Sequence, residues 1–138
     1  MSDNLYSRQI ITIGETSMEK IQNSKILLVG NNLLTFEIGK CLALSGIGTI
    51  SISCKKDDII RYVRSLNPLV KVSKYNKYYE DVRDYNLVIF SDYTISEAIK
   101  INDKCRESNV KFIYVKVYGL FGVIFNDFID YNTDDLNG

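Results

Sequence analysis

The sequence predicts an α/β fold: a mostly parallel sheet with flanking helices and an antiparallel extension at its C-terminal end. Three observations predict it. Short apolar runs alternate with stretches of helical spacing, the first run ends in a glycine, and the last segment is aromatic and β-like with no helix inside it. Strands alternating with helices form parallel βαβ units with right-handed crossovers, which makes the expected architecture Rossmann-like.

The elements follow in order. After a polar start, Ser17–Ile21 reads as a short helix with Met18 and Ile21 on one face. Lys25–Gly30 is an apolar run closed by glycine, the pattern of a strand buried on both faces. From Leu33 to Ser45 the apolar residues fall at largely helical spacing, and Gly46 stands where a helix C-cap is expected. Thr49–Ile52 is the second strand. Asp57 is placed to cap a helix through Leu66, which Asn67-Pro68 stops. Leu69–Tyr75 alternates like a strand with one wetter face, and Leu87–Phe90 is another buried run. Thr94 or Ser96 caps a helix to about Glu107 that buries Ile95, Ala98, Ile99 and Ile101. Val110–Val117 is the next strand, and Gly119–Asp130 forms the β-like tail. No repeat or linker divides the chain, so residues 1–138 read as one domain, and its end at Asp134–Gly138 has the look of a cut within a larger protein.

Composition narrows the chemistry. Seventeen basic and seventeen acidic residues cancel, which argues against a general nucleic-acid binder. Histidine is absent, so no Ser-His or Cys-His couple and no His-containing zinc site exists within the chain. Cys41, Cys54 and Cys105 are widely spaced and odd in number, the usage of reduced cytosolic or nuclear thiols. No apolar signal segment opens the chain, and the longest apolar runs are too short to span a bilayer.

In such a sheet the first strand–turn–helix is where a phosphate sits, cradled by glycines and a helix N-terminus. Here that turn is Gly30-Asn-Asn-Leu-Leu-Thr35, and only Gly30 matches the dinucleotide pattern. Asn32 and Thr35 occupy the second and third glycine positions. The acid that holds a ribose belongs about 20 residues further on, at the end of the second strand. Ile52-Ser-Cys-Lys55 stands there instead, and Asp57 and Asp58 read as helix-start residues. Two parts of a nucleotide site are missing together, so no cofactor is expected on this chain.

Tyr6-Ser-Arg-Gln-Ile10, Gly14, Met18, the Ser24–Gly30 strand, Glu37–Lys40, Leu42–Gly48, Leu66-Asn-Pro68 and Tyr118–Phe128 share their order with one family. In these residues the whole chain resembles the opening of ubiquitin-activating enzymes, whose adenylation domains have a ThiF/MoeB-like fold. The Gly119-Leu-Phe-Gly122 and Asn126-Asp-Phe128 residues lean to the ubiquitin branch; the small subunit of a SUMO-activating enzyme is the alternative within the family. The resemblance implies a pair of homologous adenylation halves. The active half holds ATP and magnesium and adenylates the C-terminus of ubiquitin or a ubiquitin-like protein. A separate domain carries the thioester cysteine, and in eukaryotic members the N-terminal half has lost its nucleotide site. This chain departs from the active pattern in that direction: its glycine loop is altered, the acid after the second strand is missing, and no Asn-x-x-Arg-Gln segment follows it. The connection after Ile52 is also short, either trimmed or lacking residues between Ser53 and Lys56.

The implied role is thus an inactive adenylation half, cytoplasmic and nuclear, with no complete active site of its own and neither nucleic acid nor membrane as partner. Arg8 is the implied catalytic residue, crossing to the ATP held by the other half. An autonomous NAD(P)- or nucleotide-binding enzyme is the competing reading from another class, and the lost glycines speak against it. The cysteines are expected to be incidental: Cys41 and Cys105 as packed small hydrophobes, Cys54 in a polar setting where Lys55 and Lys56 lower its pKa. Tyr75, Tyr78 and Tyr79 with Lys74 and Lys77 read as a strand end and solvated turn, and Asp134 and Asp135 are too few ligands for a metal.

Overall fold

Every side chain of the run Ile26–Val29 is buried, and that places β1 (Lys25–Val29) in the middle of a sheet. The computed structural model of the chain describes residues 5–77 and 81–130. The further strands are β2 (Thr49–Ser53), β3 (Lys71–Lys74), β4 (Leu87–Ser91), β5 (Lys111–Tyr118) and β6 (Phe121–Asp127). The helices are α1 (Ser7–Ile13), α2 (Glu15–Gln22), α3 (Leu33–Leu44), α4 (Asp58–Leu66) and α5 (Ile95–Glu107). Among the described residues the strand order is β3-β2-β1-β4-β5-β6. The first five strands run parallel, while β6 returns antiparallel on β5 through a turn at Gly119. The order reverses beside β1, where Leu28 pairs with Ile52 on one side and Ile89 on the other. The expected Rossmann-like sheet with its antiparallel extension is the observed one.

The strands' alternation builds two cores. Ile26, Leu28, Ile50 and Ile52 pack with Ala43, Ile60 and Val63 under α3 and α4. Leu27, Val29, Val88, Phe90 and Phe112 pack with Ala98, Ile101 and Cys105 under α5. In α5 the expected burial of Ile95 and Ile99 is overturned: they are 60% and 56% exposed. The buried stripe is Ala98, Ile101 and Cys105, and the two isoleucines lie on the neighbouring face of the helix, towards the β5–β6 hairpin.

Helix ends show where local chemistry decides. Thr94 caps α5 in a full capping box with Glu97. Gly46, just past α3, takes φ 81, and a Cβ there would strike the Tyr6 ring at 2.8 Å. Asp57 does not cap α4 as expected; its carboxylate is drawn 2.6 Å from Lys74 Nζ on β3, a charged partner in place of backbone N–H groups.

The polar start of the sequence is itself helical, as α1, and α2 extends beyond Ser17–Ile21 at both ends. Tyr6 fastens this arm. It is buried, and its hydroxyl accepts from Asn67 Nδ2 at 2.7 Å. Asn67 also donates to the Ala43 carbonyl at 2.8 Å and accepts from Leu69 N–H at 3.1 Å. One buried amide thus ties the arm, the end of α3 and the entry to β3. At the other end of the sheet Arg106 grips Asp127 through two nitrogens at 2.6 and 3.1 Å, and Asn102 Nδ2 adds a third bond at 2.9 Å. Asn102 and Arg106 together hold the Asp127 carboxyl below the ordinary carboxylate range. No helix among the described residues is long and apolar enough to cross a membrane.

Asn67→Leu removes three bonds, two of them buried, and orphans their partners, so urea unfolding is expected to show a loss of about 3 kcal/mol. Asp127 contributes through a lowered folded-state pKa. Its contribution is complete above its unfolded-state pKa of about 4 and is lost as pH falls through the folded value. Stability measured against pH is therefore expected to fall in acid, and Asp127→Asn to flatten that limb.

Candidate functional site

The carboxyl ends of β1, β2 and β4 meet at the strand-order reversal, where open α/β sheets bind ligands. The turn from β1 into α3 is filled by its own side chains. Thr35, in the first turn of α3, is fully buried, and so is Ser91 at the end of β4. Their hydroxyls lie 3.0 Å apart; Ser91 donates to the Val29 carbonyl at 2.8 Å and Thr35 to Asn32 Oδ1 at 3.1 Å. Gly30 closes over this pair. A Cβ on Gly30 would stand 2.1 Å from Ser91 Oγ and 2.2 Å from Thr35 Oγ1. Gly30 is therefore a packing glycine whose lack of a side chain makes room for protein hydroxyls.

Two of the turn's backbone donors are also engaged within the protein. Gly30 N–H donates to the Ser53 carbonyl in the strand ladder. Asn32, the N-cap of α3, accepts the Thr35 N–H at 3.1 Å. Asn31 reaches across the crevice: its Oδ1 takes the Lys55 N–H at 2.5 Å, and its Nδ2 donates to the Tyr93 hydroxyl at 3.3 Å. That side chain staples all three strand-end loops together. The acid expected after β2 in a ribose site is replaced by Ser53-Cys54-Lys55, and Asp57 turns to Lys74.

An open polar cleft of about 360 Å³ remains outside this staple, bordered by Asn31, Cys54, Lys55, Tyr75, Lys77 and Tyr93. Tyr93 stacks on Phe90 with ring centres 4.5 Å apart, and Tyr75 is buried in the α5-side core. Tyr78 and Tyr79, like Asp134 and Asp135, lie outside the described residues. Among the described residues no three metal-ligating side chains cluster.

Two cysteine expectations are corrected. Cys41 is exposed on α3, because the buried stripe runs through Thr35, Gly39 and Ala43. The Cys54 thiol has its pKa raised, since burial outweighs the Lys74 charge that pulls the other way. Cys105 is the packed small hydrophobe that was expected, with burial pushing its thiol up to about 12.

Arg8 is far from this crevice. Gln9 Nε2 donates to the Ser45 carbonyl at 3.0 Å, and Tyr6 sits against Gly46, so the arm is clamped at the C-terminal end of α3. The filled turn lies at the N-terminal end of that helix, and the twelve residues of α3 span about 18 Å. Arg8 is exposed between the two anchors, and among the described residues no hydrogen bond or ion pair engages its guanidinium. The Tyr-x-Arg-Gln motif thus divides into two residues that grip and one that is presented to solvent. Sequence reading singled out Arg8 but missed the grips, Gln9 and the Tyr6–Asn67 bond, since Asn67 read only as a helix stop.

Comparison with known proteins gives this geometry relatives. No family model matches the chain. It is similar over its whole length to ubiquitin-like modifier-activating enzyme 1 of Dictyostelium discoideum, at 27% identity, spanning 16% of that protein. SUMO-activating enzyme subunit 1 of the same organism is 28% identical over 89% of this chain and 46% of its own length. Human ubiquitin-like modifier-activating enzyme 6 is 29% identical over 94% of this chain and 16% of its own length. The chain therefore spans less than half the length of these curated relatives. The first alignment runs over 165 positions against 138 residues here, so that relative carries stretches this chain lacks. Among solved structures, E. coli MccB crystallised with succinimide superposes with a TM-score of 0.71 over 88% of this chain and 47% of its own. At 19% identity that likeness establishes the Rossmann-like fold alone.

Gly30→Ala forces a methyl onto two buried hydroxyls and is expected to cost about 1–3 kcal/mol in chemical denaturation. A disulfide reagent at pH 8 is expected to label Cys41 at once and Cys105 only after unfolding, as read by mass spectrometry.

Proposed function

We propose that this chain is the nucleotide-free adenylation half of an enzyme that activates ubiquitin or a ubiquitin-like protein. The observation that carries the reading is the turn after β1, packed with Thr35, Ser91 and Asn32 where a nucleotide-binding fold keeps space and free N–H groups. Relatives named as ubiquitin-like modifier-activating enzymes supply the class. In this reading ATP and magnesium are held by the active half, which joins the modifier's terminal carboxylate to the α-phosphate with release of pyrophosphate. This chain supplies docking surface and one charge.

That charge is Arg8. A planar, permanently ionised guanidinium stabilises the charge that builds on a phosphoryl group in the transition state, and it does so when supplied in trans. The span of α3 keeps Arg8 from the crevice of its own fold, which supports action on a neighbour's nucleotide. Its clamped helix fixes where the side chain starts and leaves its tip free. The SUMO branch stays as the second reading because the SUMO-activating subunit is the relative this chain spans furthest among those above, at 46%.

The test is ATP–pyrophosphate exchange by the assembled enzyme. Arg8→Ala is expected to slow exchange by about 100-fold or more, with Arg8→Lys between the two and the folded stability of this chain unchanged. An unaltered exchange rate dismisses the role of Arg8. Heat evolved when Mg-ATP is titrated into this chain alone, abolished by filling the turn with Thr35→Leu, dismisses the nucleotide-free reading.

A further inference from the structure

Arg8 is carried by a helix that buries none of its own residues. In α1 only Gln9 and Ile10 are half-buried, and the rest are exposed, Ile11 at 84%. The N-terminal end of the helix is rooted by the buried Tyr6. The other end joins α2 at Gly14, which takes φ 85 and ψ 158, a backbone region open to little but glycine. Beyond its chain neighbours no atom lies within 4 Å of where a Cβ on Gly14 would stand. A short helix rooted at one end, joined at the other by an unpacked glycine, meets little resistance to rolling about its own axis. Consecutive side chains on a helix are set about 100° apart, so a roll that leaves the helix in place still changes where Arg8 points.

Gln9 opposes that roll. Its Nε2 donates to the Ser45 carbonyl at 3.0 Å, thirty-six positions away. Ser45 is the C-cap of α3, where carbonyls lack partners in their own helix. The acceptor stands on a fixed piece of the fold. The Ser45 hydroxyl donates to the Cys41 carbonyl at 2.7 Å, and the next residue, Gly46, lies against the Tyr6 ring. Within α1, Thr12 Oγ1 donates to the Arg8 carbonyl at 2.9 Å and closes the turn that bears the arginine.

We propose that Gln9 is a positioning residue for Arg8: its bond to Ser45 fixes the roll of α1, and so the direction in which the guanidinium leaves the domain. This rests on the functional reading above, in which Arg8 acts on ATP held by the active half; the tie itself belongs to this chain alone. Where reacting groups must meet, a misplacement of about 1 Å costs on the order of 100-fold in rate. A side chain as long as arginine's amplifies a small roll at its base into a displacement of that size at its tip. Gln9 touches neither nucleotide nor modifier in this account and acts through its neighbour.

A double-mutant cycle in the assembled enzyme, read by ATP–pyrophosphate exchange, tests the assignment. With Arg8 present, Gln9→Ala is expected to slow exchange about tenfold. The urea midpoint of this chain is expected to stay where it was, since the bond is exposed. In an Arg8→Ala background the same change is expected to slow exchange no further. Gln9→Lys, which keeps an N–H donor for the Ser45 carbonyl, is expected to recover part of the rate when Arg8 is present. Equal slowing by Gln9→Ala in both backgrounds overturns the proposal, because the tie then serves folding or docking and not Arg8. An unchanged rate with Arg8 present overturns it as well. Arg8→Ala that leaves exchange unaltered is the separate failure of the functional reading and takes this proposal with it, so the four rates tell the two failures apart.

Discussion

Two hydroxyls packed beneath one glycine set the character of this domain. Thr35 and Ser91 share protons with the Asn32 and Val29 carbonyls in a space from which water is shut out. Buried polar groups of that kind are stable only when every partner is present, so the network locks the β1–α3 turn to β4 as firmly as the apolar contacts below it. Asn32 also engages the Thr35 N–H, a donor at the start of α3. The filling of the turn and its rigidity have one cause, side chains at two positions where the dinucleotide pattern has glycine.

Everything else with chemical interest is pushed to the periphery of the sheet. The N-terminal arm is fixed at the far end of α3, and the hairpin projects past the helices that cover the other five strands. Both are held by a single buried polar residue each: Asn67 for the arm and Asp127 for the hairpin. The central crevice is stapled by Asn31, while the margins present an exposed strand, β6, and an Arg8 side chain that nothing among the described residues engages.

The sequence was most legible where a pattern had one physical solution. Apolar runs of four, such as Ile26–Val29, had to be strands buried on both faces, and a mostly parallel sheet followed from their alternation with helices. Thr94, one of the two residues expected to cap α5, does so, and Asn32 and Thr35 stand in glycine positions of a turn that side chains fill. Where side chains had competing partners, the pattern failed. Asp57 preferred a lysine on the next strand to its own helix start. Ile95 and Ile99 satisfy helical spacing, yet they face a gap between α5 and the β5–β6 hairpin and stay exposed. Cys41 fell on the exposed face because the buried stripe of α3 runs through Thr35, Gly39 and Ala43, with Gly39 set against Val63 of α4 and Leu28 of β1. The arm was unreadable for a different reason: its order comes from Tyr6 meeting Asn67 sixty-one positions away.

The interior position of β1 has a consequence for how the chain acquires its shape. Lys25–Val29 is made early, but one of its flanks stays empty until Leu87–Phe90 emerges, since Ile26 pairs with Leu87. The β1–β2–β3 half has its own pairing and nearly all of its core before that moment, with Ile89 the one buried member that β4 brings. Closing so long a loop is slow because the entropy is lost before the contacts form. The β4-side edge of β1 is thereby the last part of the central strand to be paired.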